Sequence, residues 1–298
     1  MSARVSAVVL HYDRPSGALA CVDSLRASTH PDFEVVIVDN GSSPESLREL
    51  ESGLASRAGV ALVRLSPNRG YTGGMNAALA HALGTGAPYL WLLADDVTVD
   101  PAAMAAQVAA FESRPRAGLA GAMTYYADAP ERIWFAGGQV PRAWLGRAMH
   151  RGLDAADHGQ FATIDGVDFA NGSSLFARRE AAQRTGDFDD AYFTYWEDVD
   201  WSARVRTAGF DVLFVPQARL WHRVTPDVGS RLEAAWAYDG RNRLIWHQRH
   251  RPDRLPAVLF WTPFALVGWT LLGRFRVARQ QWRGLVAWWR GSRGRMAV

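Results

Sequence analysis

The stretch Leu90-Trp91-Leu92-Leu93-Ala94-Asp95-Asp96-Val97-Thr98-Val99-Asp100-Pro101 decides the fold class of this chain. Its first half is apolar on both faces, which is typical of a strand buried in the middle of a parallel sheet. Asp95 and Asp96 end this run, and a helix is expected to start at Pro101. Because burying unpaired charge is costly, both acids are expected at the carboxyl edge of the sheet, where α/β folds bind ligands and a divalent metal is a natural partner. In a simpler interpretation they only cap a turn and the next helix.

Short strands alternate with helices along the first hundred residues. Apolar patterning predicts strands at 5–10, 33–38 and 60–65, and helices at 17–27, 44–56 and 70–83. Short joints between them imply right-handed crossovers and neighbouring parallel strands. The predicted fold class is therefore α/β, with a Rossmann-like, mostly parallel sheet flanked by helices.

Polar or glycine-rich residues follow three of these strands, at Asp39, at 68–76 and at Asp95-Asp96. The segment Asn68-Arg69-Gly70-Tyr71-Thr72-Gly73-Gly74-Met75-Asn76 does not match G-x-G-x-x-G, and the chain has no Lys for a P-loop. These observations argue against a nicotinamide dehydrogenase and a P-loop ATPase. A glycine-rich helix start can bring backbone N–H groups to a pyrophosphate, but a turn that needs positive φ explains the glycines equally well.

A second acidic block is Trp196-Glu197-Asp198-Val199-Asp200-Trp201, at the start of a helix predicted over 197–208. The helix dipole stabilises acids in a first turn, which is the structural explanation for all three. Two flanking Trp side chains also provide apolar surroundings, in which a carboxylate can have a raised pKa and act as a base.

The region between these blocks is less regular. Strands are predicted at 118–123 and 133–138, the sheet resumes at 166–176 around Asn171, and a helix follows at 178–185. Residues 139–164 have the composition of a loop-rich insertion. After the acidic helix, two strands are predicted at 210–215 and 218–222, the second ending at His222. A single His after a strand is usually a hydrogen-bonded structural residue.

Composition indicates a reducing compartment. The chain has 298 residues, 48% of them hydrophobic, and one cysteine, Cys21, so no intrachain disulfide can form. The apolar run near the N-terminus is too short for a signal peptide. We therefore expect a cytoplasmic location.

Positive charge is concentrated at the C-terminal end. Residues 241–298 contain twelve Arg and one acid, a charge of +11, which leaves −8 for residues 1–240 of a chain whose total is +3. The 18 uncharged residues 256–273 are interrupted by Pro263 and Gly268, and 274–295 contain seven Arg and several Trp but no acid. This pattern predicts peripheral or re-entrant attachment of 256–298 to an anionic membrane surface. A helix pair packed on the rest of the chain or in a dimer is the alternative.

Taken together, these segments resemble family 2 of the inverting glycosyltransferases, which have the GT-A fold. The resemblance covers about 5–224 and rests on Val36 to Ser42, Asn68 to Asn76, Leu93 to Pro101, and Glu197 to Trp201 with Arg204, Gly209 and His222. Within the family, the chain is most similar to bacterial rhamnosyl- and galactofuranosyltransferases of the cell envelope. The resemblance implies a catalytic region at 1–225, with a nucleotide-sugar-binding half (1–112) and an acceptor half (113–225). A basic, Trp-rich helical tail would follow at 226–298. Arg241-Asn242 is similar to a pair often found after the catalytic region of the family.

The resemblance also implies residue roles. Asp39 would bind the nucleobase of a nucleoside-diphosphate sugar, Asp95 its ribose, and Asp198 would be the catalytic base. Asp96 and His222 would bind a divalent metal, Mn²⁺ rather than Mg²⁺ because an imidazole takes part. Ala94 departs from the family, since many relatives have an acid or Asn there, and this puts metal binding in question. Further donor contacts are expected from Asn68, Gly70, Gly74 and Asn76, and acceptor contacts or support from Asn171, Trp196, Glu197 and Asp200.

The predicted function is thus metal-dependent, inverting transfer of rhamnose or galactofuranose from a dTDP or UDP donor to a lipid-linked or cell-envelope glycan. It would take place on the inner face of the plasma membrane, with no nucleic acid partner, and an oligomer is compatible with the sequence. One rival is a sugar-nucleotide pyrophosphorylase, although His11-Tyr12-Asp13-Arg14-Pro15 lacks the glycine- and arginine-rich loop of that class. The other is a membrane-bound scaffold with the same fold and no activity.

Overall fold

The elements of the chain are given by a computed structural model that describes residues 3–140, 146–224 and 230–296. In chain order they are β1 Val5–His11, α1 Pro15–Arg26, β2 Phe33–Asp39, α2 Pro44–Leu54, β3 Val60–Arg64, α3 Gly70–Gly84, β4 Tyr89–Ala94, β5 Val97–Val99, α4 Ala103–Glu112, β6 Ala117–Tyr126, β7 Ile133–Phe135, β8 Gly138–Gln139, β9 Met149–His150, β10 Asp165–Gly166, β11 Ser174–Arg178, α5 Arg179–Thr185, α6 Glu197–Thr207, β12 Asp211–His222, α7 Ser230–His250, α8 Leu255–Leu271 and α9 Phe275–Trp289.

The central sheet has the strand order β10-β12-β6-β11-β4-β1-β2-β3, with β5 paired to β12 and β7 paired to β6. β3, β2, β1 and β4 are parallel neighbours, and β6 and β12 are also parallel. β11 runs antiparallel between β4 and β6 and joins the two parallel parts. The predicted α/β fold with a mostly parallel sheet and flanking helices is confirmed.

β4 lies in the middle of this sheet, between β1 and β11. Its residues from Leu90 to Leu93 are fully buried, as expected for a strand covered on both faces. Trp91 and Leu93 pack in the core layer that contains α1 and α4, while Leu90 and Leu92 pack in the layer that contains α3 and α6. The acids that follow β4 therefore leave the sheet at its carboxyl edge.

Two differences from the sequence-based predictions lie close to these acids. The helix expected at Pro101 begins at Ala103, and residues Val97–Val99 form β5, which pairs antiparallel with the end of β12. β12 is a single strand where two had been predicted. Pro216 cannot donate to a ladder, and a register shift between Val215 and Arg219 absorbs it as a bulge, so that the strand continues.

The insertion predicted at 139–164 contributes a small two-stranded sheet of β8 and β9. Of this insertion, residues 141–145 lie outside the described residues, and so does the predicted boundary at 225–226. The short strand β10, which comes after this insertion, pairs with β12 of the main sheet.

The last three helices pack on one another and on the acidic helix α6. Ile245 and Trp246 of α7 share a hydrophobic cluster with Trp196 and Val199. α7 and α9 cross closely at Gly284, where a Cβ atom would lie 2.4 Å from the Ala237 carbonyl oxygen. None of the helices in the described part of the chain is both long enough and apolar enough to cross a membrane.

This crossing generates a stability prediction. Gly284→Ala should lower the free energy of unfolding by about 1–3 kcal/mol, because the new methyl group meets backbone atoms that cannot rotate away. Gly268→Ala in α8 is the matched control, since nothing lies within 4 Å of its Cβ position and alanine favours a helix by about 0.5–1 kcal/mol. Urea unfolding of both variants measures the difference, and equal stability would contradict the close α7–α9 crossing.

Candidate active site

The carboxyl ends of β1, β2 and β4 bring three polar side chains together. In the sheet register His11 lies beside Asp39, and Leu10 lies beside Ala94, the residue before Asp95. Asp39 is buried and accepts a hydrogen bond from the Ser42 amide at 3.3 Å. Parallel strands end at the same edge of a sheet, so their topology builds this part of the site.

Asp95 is buried and surrounded by donors. One of its oxygens lies 3.0 Å from His11 Nδ1 and accepts the Tyr12 amide at 3.1 Å, and the other lies 2.7 Å from Arg14 Nη2. His11 and Arg14 were missed as site residues in the sequence. Their position directly after a predicted strand, beside the strand that ends at Asp39, was the available signal.

Asp96 lies between two cationic or potentially cationic groups. Arg14 Nη1 donates to Oδ2 at 2.6 Å, and His222 Nε2 lies 3.2 Å from Oδ1. The β5–β12 pairing produces the second contact, because it places His222 opposite Val97. Burial raises the pKa of Asp96, but His222 and Arg14 outweigh burial and lower the pKa to about 2. Asp96 is therefore ionised at physiological pH.

The donor set of Asp96 and His222 fits a divalent cation whose coordination is completed by a ligand. The buried Nδ1 atom of His222 has no hydrogen-bond partner in the described part of the chain. No cluster of three or more His, Cys, Asp or Glu side chains suited to a metal occurs there either. One carboxylate and one imidazole match sites in which waters and substrate oxygens supply the other ligands.

The glycine-rich turn before α3 is held by side-chain amides. Asn68 Oδ1 accepts the Gly70 amide at 2.7 Å, and Asn40 Nδ2 donates to the Gly70 carbonyl at 2.8 Å. Gly70 has φ +75°, and a Cβ atom on Gly74 would lie 2.6 Å from Leu10 Cδ1. Both glycines are thus required by backbone conformation or by packing on β1. Asn76 instead hydrogen-bonds to both backbone groups of Phe188, which ties α3 to the loop before α6.

Asp198 is buried at the start of α6 and accepts two backbone hydrogen bonds. The Gly172 amide donates to Oδ2 and the Val199 amide donates to Oδ1, both at 2.8 Å. Burial raises the pKa of Asp198 to about 6, although these hydrogen bonds oppose the increase. Burial and then the charge of Asp198 raise the pKa of Glu197 well above its ordinary value. A carboxylate that titrates near neutrality is suited to accept a proton.

The charges of Asp198 and Asp96 both act on one side chain, Tyr71. The Tyr71 hydroxyl donates to the Gly172 carbonyl, and its pKa is raised by burial and then by the charges of Glu197, Asp198 and Asp96. The charges of the base candidate and of Asp96 therefore act on a single hydroxyl group. Next to Gly172, the Ser173 carbonyl accepts the amide of Ala94 at 3.0 Å.

Aromatic rings form a second connection. Asn171 Nδ2 lies 3.2 Å from His150 Nε2, and the Trp134 ring packs edge-on between His150 and His222, with centroids 4.6 and 4.3 Å away. Burial lowers the pKa of His150 to about 4, so this imidazole is neutral. Trp134 and His150 belong to the irregular middle region and were not predicted.

Two predicted residues of the acidic block have structural partners. Asp200 accepts a hydrogen bond from Arg204 Nε at 2.8 Å, and its other carboxylate oxygen lies 2.7 Å from His250 Nε2. Burial raises its pKa, but His250 and Arg204 outweigh burial, and the net pKa is lowered. The Trp196 indole donates to Asp239 of α7 at 2.8 Å.

The segment before α6 has an unusual backbone. Phe193, Tyr195 and Trp196 have φ values of +64°, +64° and +75°. Such a conformation costs roughly 1–3 kcal/mol for each residue that is not glycine, and it persists only where neighbouring groups hold it. No sequence signal indicated this strain.

A cavity of about 280 Å³ lies against Asp95 and Asp96. Arg14, Thr98 and Arg223 also line it, whereas Asp198 does not. The candidate site is therefore a cavity beside Asp95 and Asp96, together with the buried carboxylate of Asp198, which lies outside the cavity lining.

Residues 6–186 match the model of a protein family described as Glycosyl transferase family 2, so the chain belongs to this family and is a glycosyltransferase. This confirms the predicted enzyme class and excludes the pyrophosphorylase alternative. N-acetylglucosaminyl-diphospho-decaprenol L-rhamnosyltransferase of Mycobacterium tuberculosis (strain H37Rv) is 28% identical over 257 residues, which cover 80% of this chain and 82% of that protein.

Galactofuranosyltransferase GlfT2 of Mycolicibacterium smegmatis is 23% identical over 265 residues. The match covers 82% of this chain but only 40% of the relative. Among solved structures, GalNAc-T7 with UDP, GalNAc and Mn²⁺ aligns with a TM-score of 0.66 at 18% identity, over 83% of this chain and 48% of that one. The structural likeness confirms the GT-A fold.

The buried carboxylate generates a prediction for stability against pH. The folded-state pKa of Asp198, about 6, lies above the ordinary value near 3.9, so the folded protein binds more protons between these values and loses roughly 2–3 kcal/mol as pH rises through them. Asp198→Asn removes this titration. Its Tm relative to wild type should therefore be higher at about pH 7.5 than at about pH 5, as measured by calorimetry.

Asp211→Asn, which changes a half-exposed carboxylate on β12, is the control. Its Tm difference from wild type should stay constant over the same range. A constant difference for Asp198→Asn as well would show that burial does not raise the pKa of Asp198.

Proposed function

We propose that this chain is a metal-dependent, inverting glycosyltransferase with a nucleoside-diphosphate sugar as donor and a lipid-linked or cell-envelope glycan as acceptor. Rhamnose or galactofuranose is the transferred sugar, carried by dTDP or UDP. The observation that carries this proposal is the buried Asp198, with a pKa of about 6, in electrostatic reach of the same Tyr71 hydroxyl as Asp96. The similarity to a rhamnosyltransferase and a galactofuranosyltransferase supports the choice of sugar.

In this mechanism Asp198 is the catalytic base. Its carboxylate takes the proton of the acceptor hydroxyl while the hydroxyl oxygen forms a bond to the anomeric carbon. The bond from that carbon to the donor diphosphate breaks on the opposite face, which inverts the configuration. The Gly172 and Val199 amides fix the orientation of the carboxylate, and burial raises its pKa to about 6, close to neutral pH.

The donor would lie at the carboxyl edge of β1, β2 and β4. Asp39 would bind the nucleobase and Asp95 the ribose, with Asn68, Gly70 and Gly74 shaping the turn beneath the diphosphate. The close packing of this turn on β1 lets backbone N–H groups approach phosphate oxygens. Asn76 would support the turn through its bonds to Phe188.

Asp96 and His222 would hold the divalent metal, with Mn²⁺ favoured over Mg²⁺ because imidazole is one of the ligands. When bound, the metal stabilises the negative charge that develops on the leaving diphosphate. Mn²⁺ is also named with UDP in the structurally similar GalNAc-T7. Arg14, which contacts both Asp95 and Asp96, would add positive charge beside the diphosphate.

The acceptor would approach from the side of Asn171, Glu197 and Asp198. Asp200 and Trp196 would support the start of α6, since their side chains are bonded to α6 and α7. A lipid-linked acceptor is supported by the name of the mycobacterial relative, which contains a diphospho-decaprenol.

A lipid-linked acceptor calls for membrane contact, and we propose that residues 256–298 attach the chain peripherally to the inner, cytoplasmic face of the plasma membrane. Phe260, Phe264, Val267 and Leu271 form an exposed apolar stripe on α8. On α9, Phe275, Trp282 and Trp289 recur every seven residues and are more than half exposed. The Arg residues around them suit anionic lipid.

Transfer assays with purified protein, Mn²⁺, dTDP- or UDP-sugars and a prenyl-diphosphate glycan test the enzymatic proposal. Asp198→Asn should lower kcat by about a hundredfold or more, the range expected for loss of a general base, while the Kd of the donor stays unchanged. His222→Ala should raise the Mn²⁺ concentration needed for half-maximal rate. Asp211→Asn serves as the control with wild-type kcat, and an equally active Asp198→Asn enzyme would rule out Asp198 as base.

Flotation with vesicles tests membrane attachment. The chain should bind vesicles that contain phosphatidylglycerol more strongly than pure phosphatidylcholine, and salt should weaken binding. Replacing Trp282 and Trp289 by Ala should reduce partitioning at least tenfold, because each buried aromatic side chain contributes about 1.5–3 kcal/mol. Leu153→Ala, an exposed apolar position outside α8 and α9, should bind like wild type. Equal binding of all three proteins would contradict attachment through α9.

A further inference from the structure

The loop of residues 191–196 connects the two sides of the proposed site. Its last residue, Trp196, directly precedes Glu197 and Asp198 at the start of α6. On the donor side, the Phe193 carbonyl accepts the Thr72 amide at 3.0 Å, and a Cβ atom on Gly70 would lie 2.4 Å from the Phe193 ring. The position of this loop therefore affects both the glycine-rich turn and the base.

Asn242 of α7 binds the backbone of this loop. Its Nδ2 atom lies 3.0, 2.8 and 2.7 Å from the carbonyl oxygens of Tyr192, Thr194 and Tyr195. The left-handed residues Phe193 and Tyr195 lie within the same stretch. A single amide group thus gathers the carbonyls of a strained loop around itself.

Arg241 adds the neighbouring contacts. Its Nη2 atom donates to the Ala191 and Tyr192 carbonyls at 3.1 and 3.0 Å, and its Nε atom donates to Asn242 Oδ1 at 2.8 Å. Nη1 donates to the Gly294 carbonyl at 2.7 Å, and the Gly294 amide donates back to Ala191 at 2.9 Å. Arg241 therefore holds the loop, Asn242 and the segment after α9 together.

The contact that Arg241 and Asn242 make with the loop is unusually polar for a buried contact with a purely structural role. Arg241 and Asn242 are both fully buried, and the Arg241 guanidinium contacts backbone carbonyls, Asn242 and the Tyr238 ring. Burial lowers the pKa of Arg241 to about 10. Apolar side chains would pack such a helix at lower cost, so the retained polar pair points to a requirement for geometry.

We propose that Arg241 and Asn242 are positioning residues for sugar transfer, which hold the 191–196 loop so that Asp198 faces the acceptor hydroxyl. The inference rests on the proposed function for its catalytic consequence. The carbonyl contacts impose the left-handed backbone before α6, and this backbone sets the direction in which α6 begins. A displacement of about 1 Å at a base can cost a hundredfold in rate.

Asn242→Asp tests this positioning, because aspartate has the shape of asparagine but no N–H to donate to the three carbonyls. It should lower kcat by about tenfold to a hundredfold, with less than a threefold change in the Kd of the donor. Arg243→Met is the matched control, since Arg243 is the next buried residue of α7 and its side chain contacts Thr262 on α8. It should leave kcat within about threefold of wild type.

Hydrogen exchange supplies a readout that does not require activity. Backbone amides of residues 192–198 should exchange faster in Asn242→Asp than in wild type and should be unchanged in Arg243→Met. If Asn242→Asp does not fold, Arg241→Lys replaces it, and the same loss of kcat and protection is expected. Wild-type kcat and exchange in the folded variant would overturn the proposal. A wild-type protein that transfers no sugar would instead contradict the proposed function, while exchange would still decide whether the loop is held.

Discussion

The antiparallel pairing of β5 with the end of β12 is the constraint on which the arrangement of the site depends. It places His222 opposite Val97 and so beside Asp96, although the two residues are far apart in the sequence. β12 also runs along β6, which fixes its position in the main sheet. A slip of one residue in this pairing would turn the imidazole to the other face of the strand and leave Asp96 without it.

Long or strongly patterned elements could be predicted from the sequence. β4 and the acids after it are local signals, because an apolar run and a charge change are visible without knowing the fold. β5 has three residues and is too short to show a period. At Pro216 the sequence predicted two strands in place of β12, because a bulge depends on pairing with the neighbouring strand and cannot be read from one segment. That His222 and Asp96 lie together was predicted only through the resemblance to a family. The contacts of Arg14 and the ring packing of Trp134 join residues that are distant in the sequence, so no local pattern could predict them.

Environment separates the roles of carboxylates that are chemically alike. Asp96 has a cation on one side and an imidazole on the other, and its pKa falls to about 2. In the part of the chain that the structure describes, Asp198 accepts its hydrogen bonds from backbone amides, and burial raises its pKa to about 6. The first is therefore a permanent negative charge and the second a group that can gain a proton near neutrality, as pairs of acids with divided tasks require.

The return of the chain after α9 to the loop before α6 has a consequence for how such enzymes recombine. The family match ends at residue 186, yet Asp198 and the groups that hold its loop lie beyond that point, as far as Gly294. An exchange between genes that cut the chain before these residues would separate Asp198 from the groups that hold its loop. The contacts that hold this loop therefore reach to residue 294, more than a hundred residues past the end of the family match.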